Sequence, residues 1–245
     1  MTARAFFVLI NLLFWTTVLG ILCLLVGLID WSGKLIGFIA RIWASIILWS
    51  GGVSYRVIGR EFLEPKKHYF FAGNHESAMD IPLSWAGIPY QLVSIAKIEL
   101  LKIPIMGWAM VLAKHIFVDR SNHKKALESL ELAKVSLQKH PRSIMLFPEG
   151  TRSIDGKIHQ FKKGGLALAV QLGMPVVPVA MCGTRDIVKK KSKRLNPGYV
   201  ELRFGEPINT AEWEDKDPVE FANYVRDRVI ALKQAWIEGK KSSNY

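Results

Sequence analysis

The sequence predicts an α/β domain carried on an N-terminal hydrophobic anchor. Three observations lead there. From Val53 onward, short apolar runs that suit strands alternate with longer stretches of helical periodicity. Ala5 to Ile29 contains no charged residue, and only Asn11, Thr16 and Thr17 interrupt it as polar side chains. Gly51-Gly52 separates the two patterns, so residues 1–50 are expected to form the anchor and residues 51–245 the domain.

At 245 residues, half of them hydrophobic, the chain can bury one substantial core beside its anchor. The formal charge of +12 and the pI near 9.7 favour anionic partners: lipid headgroups, phosphate esters, an acidic carrier protein or nucleic acid. A nuclear or nucleic-acid role conflicts with the anchor and is not expected. Cys23 and Cys182 support neither a disulfide framework nor a thiolate metal site, and indicate a reducing, cytoplasmic-facing domain.

Taken in order, Ala5–Ile29 is long enough to cross about 30 Å of hydrocarbon as a helix. It exceeds a signal-peptide core and lacks a clear small-residue cleavage site, so it is expected to persist. Leu35–Trp49 carries Arg41 in its middle and suits an interfacial or re-entrant helix, with Trp31, Trp43 and Trp49 at headgroup depth. Arg4 on one side weighs against Lys34, Arg56 and Arg60 on the other, so the positive charges choose no orientation.

Within the domain, strands are expected at Val53–Ile58, Tyr69–Ala72, Leu92–Ala96, Ile116–Val118, Ser143–Phe147, Val176–Ala180 and Val200–Phe204. Ile98–Ala113, broken by Pro104 and Gly107, reads as a core or membrane-lying helix in which Met106 and Met110 are also suited to line an acyl-chain channel. Asn122–Lys139 carries Ala126, Leu127, Leu130, Ala133 and Leu137 at helical spacing and closes before Pro141. A helix over Leu166–Leu172 ends at Gly173. The last runs from about Val219 to Ile237, with Ala222, Val225, Val229, Leu232 and Trp236 inward.

The chemistry centres on Asn74-His75-Glu76-Ser77-Ala78-Met79-Asp80. Five residues is a poor helical spacing for two groups that must touch. A strand ending in a loop at His75, followed by a helix that begins near Pro82, removes that objection. Asp80 can then hold one ring nitrogen of His75 and leave the other free as a base. The competing account makes Asp80 or Ser77 a helix cap and His75 an ordinary satisfied histidine. His75-Glu76 does not begin a zinc motif, because Met79 stands where the second histidine belongs. Neither a Gly-x-Ser-x-Gly elbow nor a nucleotide-binding glycine loop is present.

A second apolar strand runs into Phe147-Pro148-Glu149-Gly150-Thr151-Arg152. Together with His75-x-x-x-x-Asp80, this block resembles the glycerolipid acyltransferase family, most closely its 1-acylglycerol-3-phosphate acyltransferase branch. The likeness extends from about Tyr55 to Ile208 and includes Ile116-Phe117-Val118-Asp119-Arg120 and Val176-Val177-Pro178-Val179, the latter mostly structural. One departure is Lys114-His115, where many members carry a glycine.

The resemblance implies a mixed sheet flanked by helices, like glycerol-3-phosphate acyltransferase. It also implies acyl transfer from acyl-CoA or acyl carrier protein to the sn-2 hydroxyl of 1-acylglycerol-3-phosphate, giving phosphatidic acid without a cofactor or metal. His75 would be the general base and Asp80 its orienter. Arg152, Gly150, Thr151 and Glu149 would form the acceptor-phosphate block, Glu149 also serving to shape its loop, with Arg120 and Lys97 as further phosphate candidates and Asn74 and Gly73 as oxyanion candidates. Blander alternatives stand beside these: an ion pair between Glu149 and Arg152, and solvated surface charges at Arg120, Lys97 and the run Lys189–Arg194. Expected partners are the bilayer, lysophosphatidic acid and the acyl carrier. The expected location is a bacterial inner membrane, with the domain on the cytoplasmic side. Two other functions remain: acyl transfer to another lysolipid such as lysophosphatidylglycerol or an aminolipid, and a non-catalytic anchored protein that binds anionic lipid.

Overall fold

Seven strands form one mixed sheet in a computed structural model that describes residues 2–119 and 123–242. Arg120 and Asn122 lie outside the described residues. In chain order the strands are β1 (Val53–Ile58), β2 (Phe70–Gly73), β3 (Leu92–Lys97), β4 (Ile116–Val118), β5 (Ser143–Leu146), β6 (Val176–Cys182) and β7 (Gly198–Phe204). The helices are α1 (Ala3–Val26), α2 (Lys34–Ser50), α3 (Asp80–Gly87), α4 (Met106–Leu112), α5 (His123–Lys139), α6 (Lys163–Gln171), α7 (Thr184–Ile187) and α8 (Pro218–Ser242).

The spatial order is β1-β7-β6-β2-β5-β3-β4. β6, β2, β5, β3 and β4 run parallel, while β7 is antiparallel to β6 and carries β1 parallel beside it. Parallel strands covered on both faces read as continuous apolar runs, and β2 is fully buried along its length. Its side chains alternate between two cores. Phe70 and Ala72 join Val93, Ile144 and Leu146 under α5, α6 and α8, which contribute Leu137, Leu166, Val225 and Val229. Phe71 joins Met145, Val177, Val179 and Met181 on the other face, under Leu83 of α3 and Ala44, Ile47 and Leu48 of α2. α2 therefore shares the domain's core through one face, while Leu35, Phe38 and Trp49 stay exposed.

α1 is long and apolar enough to cross a membrane. It packs on α2, where Trp43 Nε1 donates to Thr16 Oγ1 at 3.0 Å, and on α4, where only a glycine at position 20 leaves room for Ile105. The rest of its surface is bare: Phe6, Leu13, Phe14 and Leu25 are all more than half exposed. Trp108 and Val111 of α4 extend that apolar surface. The stretch from Ile98 to Ala113 is a 3₁₀ turn over Ile98–Lys102 followed by α4, not one helix.

The departure at Lys114-His115 keeps its turn at a cost. Lys114 adopts φ 63°, the left-handed conformation that a glycine takes freely. His115 turns inward, where its Nδ1 accepts from Ser94 N at 3.0 Å and its ring stacks on Trp85. Burial, with Arg142 nearby, brings its pKa down to about 4, so it sits there as a neutral imidazole.

Candidate active site

The connections that leave β2 and β5 part company. β2 leads through α3 to β3 on one side, and β5 leads through α6 to β6 on the other. A crevice at the carboxyl ends of neighbouring parallel strands is the expected result. His75 follows β2 there, and Glu149 to Arg152 follow β5.

His75 Nδ1 lies 2.8 Å from Asp80 Oδ2, and the Asp80 side chain is completely buried. The same oxygen accepts the backbone N–H groups of Glu76 at 2.7 Å and Ser77 at 2.8 Å. Asp80 begins α3, so its carboxylate folds back over the loop that precedes its own helix and closes the five-residue gap. An ionised carboxylate only accepts hydrogen bonds, which puts the proton on Nδ1 and leaves the Nε2 lone pair unengaged. The imidazole stacks on Phe147, with ring centroids 4.2 Å apart, and remains partly accessible. Asp80 does act at a helix start, but for the loop and the histidine together.

Glu149 ties the two strand-end loops together. Its Oε1 accepts from His75 N at 2.8 Å and its Oε2 from His159 N at 3.1 Å. Ser153 N returns a bond to the His75 carbonyl at 2.7 Å. Burial raises the Glu149 pKa, and those two N–H donors work against the rise. Glu149 thus shapes the loop, and its other two expected roles are corrected. It neither pairs with Arg152 nor suits a phosphate, since its oxygens are committed and its charge would repel one. Gly150 sits at φ 72° with Lys162 close above it, so the turn needs glycine.

Arg152 is partly exposed on this rim, and its guanidinium has no partner among the described residues. Thr151 Oγ1 accepts from Lys190 Nζ at 3.0 Å, and the same ammonium donates to the Arg152 carbonyl. The basic run 189–194 is thus anchored on the site loop through Lys190 and is not wholly a solvated surface. Lys97 ends β3, one strand beyond Arg152 along the rim, and is exposed. Arg120, expected after β4, lies outside the described residues.

The oxyanion expectation for Asn74 needs correction. Its amide nitrogen donates to Met181 O at 3.1 Å and its oxygen accepts from Met181 N at 2.8 Å, so it joins the ends of β2 and β6. Gly73 is the last residue of β2, paired with Val179 and tightly enclosed by Met145. Sequence reasoning missed two contacts here: the Phe147 stack and the pairing of Glu76 with Lys233 of α8. Phe147 borders the second motif and was open to notice, whereas nothing local to Glu76 points 157 residues away.

A family model described as acyltransferase matches residues 54–182. A 1-acyl-sn-glycerol-3-phosphate acyltransferase from Saccharomyces cerevisiae is 33% identical over 222 residues, covering 89% of this chain and 71% of the relative. One of the same name from Cocos nucifera is 35% identical over 185 residues, 76% of this chain; the match takes in only 58% of the coconut protein's length. The crystal structure of the 1-acyl-sn-glycerophosphate (LPA) acyltransferase PlsC from Thermotoga maritima superposes with a TM-score of 0.81 at 26% identity, covering 97% of this chain and 95% of that one.

Proposed function

This chain belongs to the acyltransferase family, and on that premise we propose that it makes phosphatidic acid. A fatty acyl group passes from a thioester, acyl-CoA or acyl carrier protein, to the sn-2 hydroxyl of 1-acylglycerol-3-phosphate. The observation that carries the reading is the His75–Asp80 bond at the carboxyl end of the parallel strands, with Arg152 on the neighbouring loop and its guanidinium without a partner among the described residues. His75 Nε2 takes the hydroxyl proton as the oxygen attacks the thioester carbonyl, and Asp80 stabilises the imidazolium that forms. Collapse of the tetrahedral intermediate expels the thiolate, which recovers that proton. No acyl-enzyme is needed, and both cysteines are buried.

Arg152 holds the acceptor phosphate in this reading. Lys190 shapes its loop, and Thr151 keeps a hydroxyl proton to donate. An arginine that binds phosphate equally in the ground and transition states contributes uniform binding. Arg152→Ala should therefore raise the acceptor KM by about tenfold or more while lowering kcat less. The test compares lysophosphatidate with a 1-acylglycerol lacking phosphate in wild type and variant. Full retention of the preference for the phosphorylated acceptor would remove Arg152 from this role and leave Lys97 or Arg120 to examine.

The substrate is a membrane lipid, and α1 with its exposed apolar surface supports a membrane location. We place the domain on the cytoplasmic face of a bacterial inner membrane, where a soluble acyl carrier reaches it. The unpaired cysteines suit that compartment. The intact chain should stay on anionic vesicles at high salt, because apolar insertion is not screened. Release by salt alone in a flotation assay would show that α1 is not inserted.

A further inference from the structure

We propose that Lys233, on the C-terminal helix α8, is a positioning residue for the catalytic pair and acts through the buried carboxylate of Glu76. The inference rests on the reading of His75 as the base. Glu76 follows His75 directly and is only 2% exposed. Its Oε2 pairs with Lys233 Nζ, and its Oε1 accepts from Thr184 Oγ1 at 3.4 Å. Lys233 Nζ also donates to Gly156 O at 3.3 Å. One ion pair thus joins α8, the turn after β6, the loop beyond Arg152 and the loop that carries His75.

The route to chemistry is short. The backbone N–H of Glu76 donates to Asp80 Oδ2, the oxygen that holds His75 Nδ1. Burial pushes the Glu76 carboxyl up, Lys233 opposes that rise, and Asp80 adds to it. With Lys233 gone, Glu76 must take up a proton or turn toward water. Either change shifts the peptide that steadies Asp80. A buried pair of this kind is a poor source of net stability, since a neutral pair of similar shape often replaces it without loss, whereas removing one partner strands a charge. The ammonium side is the more accessible of the two, so losing Glu76 should be tolerated better than losing Lys233.

The test is a double-mutant cycle on the full chain, with kcat, acceptor KM and thermal midpoint measured for each protein. Lys233→Met should lower kcat by about 10- to 100-fold, the scale of a sub-ångström to 1 Å misplacement of a catalytic group. The acceptor KM should stay within about twofold, because the phosphate site is untouched. Glu76→Gln should lose less. Glu76→Gln/Lys233→Met should recover most of the loss, since an amide needs no counter-cation. Wild-type kcat in Lys233→Met, or an equal loss in the single and double variants, overturns the proposal. Should Lys233→Met fail to fold, Lys233→Gln decides: a loss of kcat of about tenfold or more with the acceptor KM within about twofold sustains the proposal, and wild-type kcat overturns it. His75→Ala is measured alongside. If it keeps turnover, the base assignment falls; if it is inactive while Lys233→Met is unimpaired, only the role of Lys233 falls.

Discussion

His75→Ala is expected to lower kcat by about three orders of magnitude, within the usual range for removing a general base. Among the described residues of the two strand-end loops, the imidazole combines a free nitrogen with a buried carboxylate on its opposite side. Its removal should leave the fold almost unchanged, because its ring is partly exposed and gives up only the Phe147 stack and the Asp80 bond among the contacts described above. The loop keeps its shape through backbone bonds that do not involve the ring: His75 N to Glu149, Ser153 N to His75 O, and Glu76 N and Ser77 N to Asp80. The measurement is kcat in mixed micelles together with the thermal midpoint. A large loss of turnover with an unchanged midpoint is expected. Turnover close to wild type would overturn the mechanism.

Asp80→Asn should cost about as much, roughly 10²- to 10⁴-fold in kcat, though nearly isosteric. An amide oxygen in place of Oδ2 can still accept the three donors, but it carries no charge to stabilise the imidazolium. It also sets an NH₂ where Asp80 Oδ1 lies buried, without a partner among the described residues. Turned the other way, the amide nitrogen faces two backbone N–H groups and selects the wrong imidazole tautomer. Both orientations lose, so the variant should also melt lower than His75→Ala. A kcat within a few-fold of wild type would show that Asp80 only caps α3.

Much of the fold could be read locally. Each of the seven strands has its apolar run, and β1 and β4 fall on the expected bounds. Strands buried on both faces need side chains that are apolar at every position, and such runs are visible without knowing the neighbours. The amphipathic α8 was equally clear, since Ala222, Val225, Val229 and Trp236 recur at helical spacing and are buried. At the site, the contact between His75 and Asp80 follows from a loop that feeds a helix start, which is also local information. Asn74 as an oxyanion donor and Glu149 as a phosphate contact fail for the same reason. A polar side chain beside a motif looks available until its partners are known, and theirs are Met181 and the N–H groups of His75 and His159.

The sequence by itself determined most of the elements, the long apolar N-terminal helix, the family and the pair His75–Asp80, because each rests on patterns a few residues long. Tertiary structure alone decided that β5 inserts between β2 and β3, which brings Glu149 to His75 across 74 residues. It alone decided that Lys233 meets Glu76 across 157 residues, and that α2 shares the domain's core. The physical reason is that strand order and buried charge pairing are settled by which surfaces must leave water together. A carboxylate enters the interior only where the whole fold delivers a donor to meet it.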